Sequence, residues 1–490
     1  MVDRFVPAPE VRSDEIGATK NQKEVDELKR IVFLIIASLL VIGLVLPSTV
    51  AGANIDIKVL IAGPMLDVQG DHMWKGATMA NTAIGTFSDG VNTYTFDLIK
   101  VDTKEISQPM GAGTILETAL TNEGAKLVIG GFRTEAVYEE IPKAMAAKAL
   151  MFICGAASYG LLTTPPHNTA TNYTTGAKYI FRGTPFNDVF LINNALMMLA
   201  MVTTGIKAQI GSATPKVAIF AEDLEWTVAM VASAKTIIQS VLGCTLGPVK
   251  TVSDTAGADT VIPALNEIKA AKCHAILTLI SGPVGTQFST QKGDLGVPAV
   301  AVGINVPIQT PGAWAGTLGN VAYEITMGTW AKGVAQTNLT TAFLNGFETA
   351  YGTLPVYTAS AHDILIAFSE AIKDEGWNPA DTETSVNDLI AWFEDPANAM
   401  ENTSAQKAMY YPKWAYPEMA YWIKAGKALP ALCFTQYDDL YGDLGYFCDR
   451  AVGSGVGTNF TMPPFSTHDL VYGPGYVTGL GFQWQPVVTP

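Results

Sequence analysis

Basic residues are scarce in this chain of 490 residues: 30 Lys and Arg stand against 45 Asp and Glu, a net charge of -15, and no basic cluster follows residue 30. Phosphate binding needs clustered cations, so nucleic acid is excluded as a partner. Charges of either sign make up only 15% of the chain and hydrophobic residues 48%, which is enough apolar material for two full cores. Cysteine is rare too, and its five copies contain no Cys-x-x-Cys and lie near no histidine pair. A zinc site of the usual spacing is therefore excluded, and neither metal nor cofactor is expected.

A long apolar run lies near the N-terminus. Residues 1–30 are a polar tail ending in Lys29-Arg30, and Ile31 to Ile55 carry no charge, with the most apolar part from Ile31 to Leu46. A run apolar on every face with basic residues before it reads as a membrane segment, so residues 31–52 are expected to be a transmembrane anchor or signal, with the rest of the chain outside. Thr49-Val50-Ala51 has the small-x-small pattern of a cleavage site, while the long polar leader favours a retained anchor. No cysteine follows the run, which excludes a lipid-modified N-terminal cysteine. Four N-glycosylation sequons, at Asn172, Asn338, Asn402 and Asn459, are compatible with an exterior location.

From Ile57 onward short β-branched runs alternate with amphipathic stretches, the signature of strands and crossover helices in a parallel sheet. Strands are predicted at 58–62, 94–101, 126–130 and 150–154, with helices at 74–83, 111–121 and 134–147. The same order then begins again, with strands at 216–220, 245–252, 274–280 and 299–303 and helices at 225–242, 259–271 and 286–294. Two further helices follow, at 340–351 and 357–373. The predicted architecture is α/β: two doubly wound parallel-sheet lobes joined by a multi-crossover hinge, with hinge strands near 184 and 325. Residues 55–184 and 330–467 are assigned to the first lobe, the latter with a C-terminal elaboration, and 185–329 and 468–490 to the second. Ligands of such sheets bind beyond the carboxyl ends of the strands.

Several segments resemble the type I periplasmic solute-binding proteins, in particular the branched-chain amino acid and amide-binding receptors of ABC transporters. Ile61-Ala62-Gly63-Pro64-Met65 followed by Gly76-Ala77-Thr78-Met79-Ala80 is similar to that family's first strand and helix start. Ile129-Gly130-Gly131-Phe132-Arg133-Thr134-Glu135 resembles its loop after the third strand, and Ile153-Cys154-Gly155-Ala156-Ala157-Ser158 the start of its Ile-Ser-Pro-Gly-Ala-Thr stretch. Tyr179 to Pro185, Glu222-Asp223 with Trp226, Phe347, Tyr351-Gly352, Ala361-His362-Asp363 and the ending from His468 to Gln485 extend the likeness.

The resemblance implies a receptor and not an enzyme, with ABC permease and ATPase subunits as partners. It places Thr134 and Ser158, the backbone N–H groups of Ala157 and Ser158, and Arg133 against a ligand's carboxylate, and Trp226 as a flat wall. Ser281 and Gly282 bring a hydroxyl and backbone near the cleft. Asn305 stands where the family often has an acid for an ammonium, and His362 where it has an aromatic. Without that acid, an ammonium falls to Glu222, Asp223, Glu225, Glu135 or Asp363, or the ligand carries none, leaving amino acids, amides, urea-like solutes and aromatic acids open. Cys433 and Cys448 are expected to close a short disulfide loop, with Cys244 and Cys273 a second candidate pair.

Two other readings compete. A membrane-anchored sensor or surface protein can reuse the receptor fold. An α/β hydrolase is suggested by Ala156-x-Ser158-x-Gly160 after a strand, with Ser158, an Asp and His468 in suitable order. Against it, a nucleophile elbow turns straight into a helix, whereas this segment runs into Thr163-Thr164-Pro165-Pro166.

Overall fold

The computed structural model describes residues 52–163, 178–183, 187–210, 214–309, 312–322, 324–329, 340–395 and 398, and the backbone of strands at 433–437, 444–448 and 485–486. The polar tail, nearly all of the segment 31–52, the four sequons, His468 and the side chains of Cys433 and Cys448 lie outside the described residues.

The chain enters at β1 (Asn54–Gly63) and continues through α1 (Val68–Ile84), β2 (Phe87–Ser88), β3 (Thr93–Asp102), α2 (Ala112–Glu123), β4 (Leu127–Gly130), α3 (Thr134–Ala147), β5 (Leu150–Ile153) and β6 (Ile180–Arg182). The sheet order is β2-β3-β1-β4-β5-β6, parallel except where β2 meets β3. Side chains alternate between its two faces. Ile57, Val59, Ile61, Leu127, Ile129, Leu150 and Phe152 enter one core, while Leu60, Ala62, Val128, Met151 and Ile153 enter another beneath α2 and α3. A sheet covered on both sides needs strands apolar at every position, which is why these runs lack a polar alternation.

Gly130 lies where β4 passes β1, and a Cβ there would stand 2.0 Å from the Ala62 carbonyl oxygen. Gly130→Ala must therefore push two parallel strands apart. A loss of about 3 kcal/mol is expected, at the upper end for overpacking, and an unchanged urea midpoint would contradict it.

The second lobe follows with α4 (Asp188–Ile210), β7 (Lys216–Glu222), α5 (Glu225–Ser240), β8 (Thr245–Val252), α6 (Ala258–Ala270), β9 (Ala275–Ile280), α7 (Val284–Asp294), β10 (Val300–Asn305) and β11 (Glu324–Gly328). Helix α4 was not foreseen, because it is apolar on nearly every face and so has no amphipathic period to detect. It is long and apolar enough to cross a membrane, yet 67% of its apolar window is buried. It fills the second lobe's core together with α5 and strands β7, β9 and β10.

The chain then returns to the first lobe for α8 (Thr340–Tyr351), α9 (Ala361–Glu375) and α10 (Thr382–Glu394). Phe368 of α9 and Phe393 of α10 pack against Phe152 at ring distances of 5.1 and 4.8 Å, which seats these helices on β5. Ile325 lies inside the second sheet, and the chain crosses back after β11. One expectation changes in this region: β12 (Cys433–Tyr437) and β13 (Leu444–Cys448) continue that same sheet antiparallel, with β14 (Gln485–Pro486) at its edge, whereas residues 330–467 had been assigned wholly to the first lobe. An edge strand with free backbone groups is satisfied by any chain that returns beside it, which no hydrophobic period announces. The backbone register sets Cys433 opposite Cys448. Cys244 and Cys273 are both buried and are not joined to each other, so the second candidate pair does not form.

A cleft between the lobes as the candidate functional site

The carboxyl ends of both sheets converge on one cavity, with about 540 Å3 of empty space when its open mouth is included. Phe132, Trp226 and Tyr357 give it an aromatic wall, extended by Leu191, Ile304, Val306 and Met327. Its polar side chains among the described residues are Arg133, Thr134, Ser281, Gln309 and Thr329, and no described Asp, Glu or Lys lines it.

The first-lobe edge is built by the turn from β4 into α3. Gly131 takes φ +79, a conformation that strains any other residue, and a Cβ there would meet Val137 Cγ2 at 2.5 Å. Behind the turn the carboxylate of Glu105 accepts hydrogen bonds from the backbone N–H of Phe132 at 2.8 Å and of Arg133 at 2.6 Å. Thr134 is thereby fixed at the first position of α3. The neighbouring loop is fixed by buried Arg182, which donates to the carbonyls of Ala156 and Ser158.

Of the residues expected at the site, Arg133, Thr134, Ala157, Trp226 and Ser281 line the cavity. Four others do not. Ser158 is buried one residue behind Ala157, with its carbonyl bound by Arg182, and is not among the residues lining the cavity. Gly282 backs Ser281 and donates its N–H to Glu222. Asn305 points beneath the floor, where its Nδ2 donates to Ser289 Oγ at 3.3 Å and Glu324 Oε2 at 3.4 Å. His362 packs on Phe343 at 4.6 Å and bonds Asp363 at 2.8 Å, on the side of α9 away from the cavity. None of the five acids considered for an ammonium lines the cavity either.

Phe132, Tyr357, Leu191, Gln309 and Met327 were missed. Phe132 stood inside a quoted motif and was legible in principle. Gln309, in a short turn after β10, carries no signal that a sequence reader would notice.

Three buried donor groups at the cavity have no hydrogen-bond partner within the protein: Thr134 Oγ1, Arg133 Nε and Trp226 Nε1. Arg133 also forms an ion pair with Asp254 of the second lobe. Two more bonds join the lobes, from Gln69 Nε2 to the Ser281 carbonyl and from the Glu225 N–H to Glu135 Oε1, each 2.8 Å. The lobes therefore meet in a closed arrangement. Burial raises the carboxyl of Glu222, opposed by Arg133 and the Ser281 hydroxyl, and pushes Glu105 up to about 6 against the pull of its N–H donors. Asp67 is raised by burial too, against Arg133.

A family model described as periplasmic binding protein matches residues 61–391. No curated protein matches the chain significantly. Among solved structures, a solute-binding protein of an ABC transporter from R. palustris in complex with 4-hydroxybenzoate is similar at 16% identity and TM-score 0.60, covering 80% of this chain and 95% of that one. The branched-chain amino acid transporter substrate binding protein LivJ from Streptococcus pneumoniae, in complex with isoleucine, is similar at 14% identity and TM-score 0.59, covering 79% and 97%. The leucine binding protein LivK from Thermotoga maritima is similar at 16% identity and TM-score 0.56, covering 80% and 97%. At such identities the structures show the shared fold, and the match of the family model across both lobes shows that this chain belongs to the periplasmic binding protein family of solute-binding proteins.

Proposed function

We propose that this chain is the extracytoplasmic substrate-binding protein of an ABC importer, held at the membrane by residues 31–52, and that its ligand is a small apolar monocarboxylate. The observation that carries this reading is the set of three partnerless buried donors beside an aromatic wall with no acid among its described residues. A buried donor without an acceptor is costly, so the group that completes the site is rich in acceptors. Thr134, Arg133 and Ser281 receive the carboxylate at the N-terminus of α3, where the helix dipole favours negative charge. Trp226, Phe132 and Tyr357 receive the apolar body, and Ala157 leaves room for it. Ser158, Gly282 and Asn305 act by fixing the residues in front of them.

An amino acid presents an ammonium as well, and no carboxylate among the described lining residues is there to bond it directly. The reading therefore ranks aryl and branched aliphatic acids above amino acids. Hinge closure then buries the solute, and the closed form is what permease and ATPase subunits recognise.

Melting of the full chain in detergent, followed by tryptophan fluorescence, tests this directly, because a ligand bound only by the native state raises the midpoint. A saturable rise with benzoate, 4-hydroxybenzoate or 4-methylpentanoate and none with leucine is expected. Leucine as the sole stabiliser would overturn the ligand class. Thr134→Val removes one donor and should weaken carboxylate binding by about 2 kcal/mol, roughly thirtyfold.

A further inference from the structure

Arg133 is the only cation among the described residues of the cavity wall, and carboxylates crowd it. Asp254 pairs with its Nη2 across the cleft. Glu105 binds its backbone N–H, and both Asp67 and Glu222 interact with its charge. A Cβ added at Gly282 would stand 3.0 Å from Arg133 Nη2, 3.0 Å from Glu222 Oε1 and 3.2 Å from the Asp254 Cβ, so three charged side chains converge on one point. One guanidinium facing four acids has little attraction left for a fifth negative charge.

We propose that Glu222 reads the charge of the ligand: a carboxylate entering the cleft draws one proton from solvent onto Glu222, whereas a neutral isostere enters without one. This rests on the carboxylate reading above and goes beyond it, since the selecting group does not touch the ligand. Glu222 is fully buried directly behind the wall, where its Oε2 accepts the Ser281 hydroxyl at 2.7 Å, and Ser281 lines the cavity. The other groups facing it are Arg133, Asp254, the Gly282 N–H and the Tyr357 phenol, and the Thr227 hydroxyl donates to its backbone carbonyl. The Glu105 carboxylate is already taken up by two backbone N–H groups and the Thr103 hydroxyl and makes no bond to Ser281, and Asp254 is 15% exposed, so Glu222 is the acid joined directly to the cavity wall.

The step balances simply. An O–H bond forms on Glu222 with a proton supplied by the buffer, the net charge of the buried cluster is unchanged when the ligand's negative charge arrives, and no other bond is made or broken. Protonated Glu222 donates to Ser281 Oγ, so the serine hydrogen turns toward the ligand's carboxylate. Burial already raises the Glu222 carboxyl above its ordinary range, against the pull of Arg133 and of the Ser281 and Gly282 hydrogen bonds, which favours uptake of the proton there. By linkage, affinity for the anion then falls with rising pH, at most tenfold per pH unit, between the pKa of Glu222 in the free and the loaded protein.

Calorimetry of the full chain in detergent tests this with benzoate, 4-hydroxybenzoate and 4-methylpentanoate and their amides, in phosphate and in Tris, whose ionisation heats differ widely. The expected result is a carboxylate binding heat that differs between the buffers by the equivalent of about one proton, and an amide heat that does not. Glu222→Gln should abolish the difference and hold carboxylate affinity at its low-pH value. Equal heats in both buffers overturn the proposal while leaving the carboxylate reading intact, and uptake that survives in folded Glu222→Gln overturns Glu222 as its seat. Absence of saturable heat from every carboxylate removes the underlying reading and this proposal together. The wild-type comparison decides even where the variant does not fold.

Discussion

Replacing Glu324 by leucine is expected to destabilise the second lobe by about 3–5 kcal/mol, because it strands a buried ammonium. Lys292 and Glu324 are 2% and 1% exposed and lie 3.7 Å apart, and Glu324 also accepts hydrogen bonds from Ser289 at 2.9 Å and Asn305 at 3.4 Å. Burial lowers Lys292 and pushes Glu324 up to about 7, so each needs the other. The double replacement, Lys292→Met with Glu324→Leu, should recover most of the loss, since two apolar groups leave no charge behind. A denaturation cycle over the four proteins measures the coupling, and additive losses would contradict it.

The pH dependence has a definite sign. A buried acid with a raised pKa keeps its proton in the folded state after the unfolded chain has released it, so its contribution to stability falls as pH rises from the ordinary glutamate range to about 7. Lys292→Met removes the cation that opposes this rise and should extend the fall to higher pH. The consequence reaches the site. Glu324 begins β11 and Asn305 ends β10, and the same strands and their exits carry Met327, Ile304 and Val306 to the cavity.

The second large effect is on binding. Trp226→Ala is expected to weaken carboxylate binding by about 2–4 kcal/mol, the scale of a tryptophan at the centre of a buried contact. The side chain is 6% exposed, lines the cavity and holds its Nε1 donor without an acceptor. Trp226→Phe keeps a ring and removes the donor, so about half of that loss is expected from it. Titration calorimetry separates the two contributions, and an unchanged affinity in a folded Trp226→Ala protein would remove this residue from the site.

The two turns that carry the site differed in how legible they were. Gly131-Phe132-Arg133-Thr134 could be read because a glycine before a helix-starting hydroxyl, directly after an apolar strand, is dictated by local backbone chemistry. The resemblance put both Ala157 and Ser158 at the site, and only Ala157 lines the cavity: Arg182 holds the carbonyls on either side of it, a contact that spans 24 to 26 residues. Asn305 was placed at the cleft by the family resemblance, as the residue standing where an acid is usual. Its amide is turned under the floor by Ser289 and Glu324, neither of which a local pattern could place there.

The sequence by itself determined the class of protein: the alternation of strands and helices, its repetition into two lobes, the absence of metal-site spacing and the lack of basic clusters are local properties of composition and period. Only the tertiary structure decided which acids stand behind Arg133, that the strands at 433–448 complete the second sheet, and which side chains meet across the cleft. The physical reason is range. Hydrophobic period and turn chemistry act between residues a few positions apart, whereas the pairing of Arg133 with Asp254 spans 121 positions and that of Gln69 with Ser281 spans 212, and each exists only because two independently folded sheets close on each other.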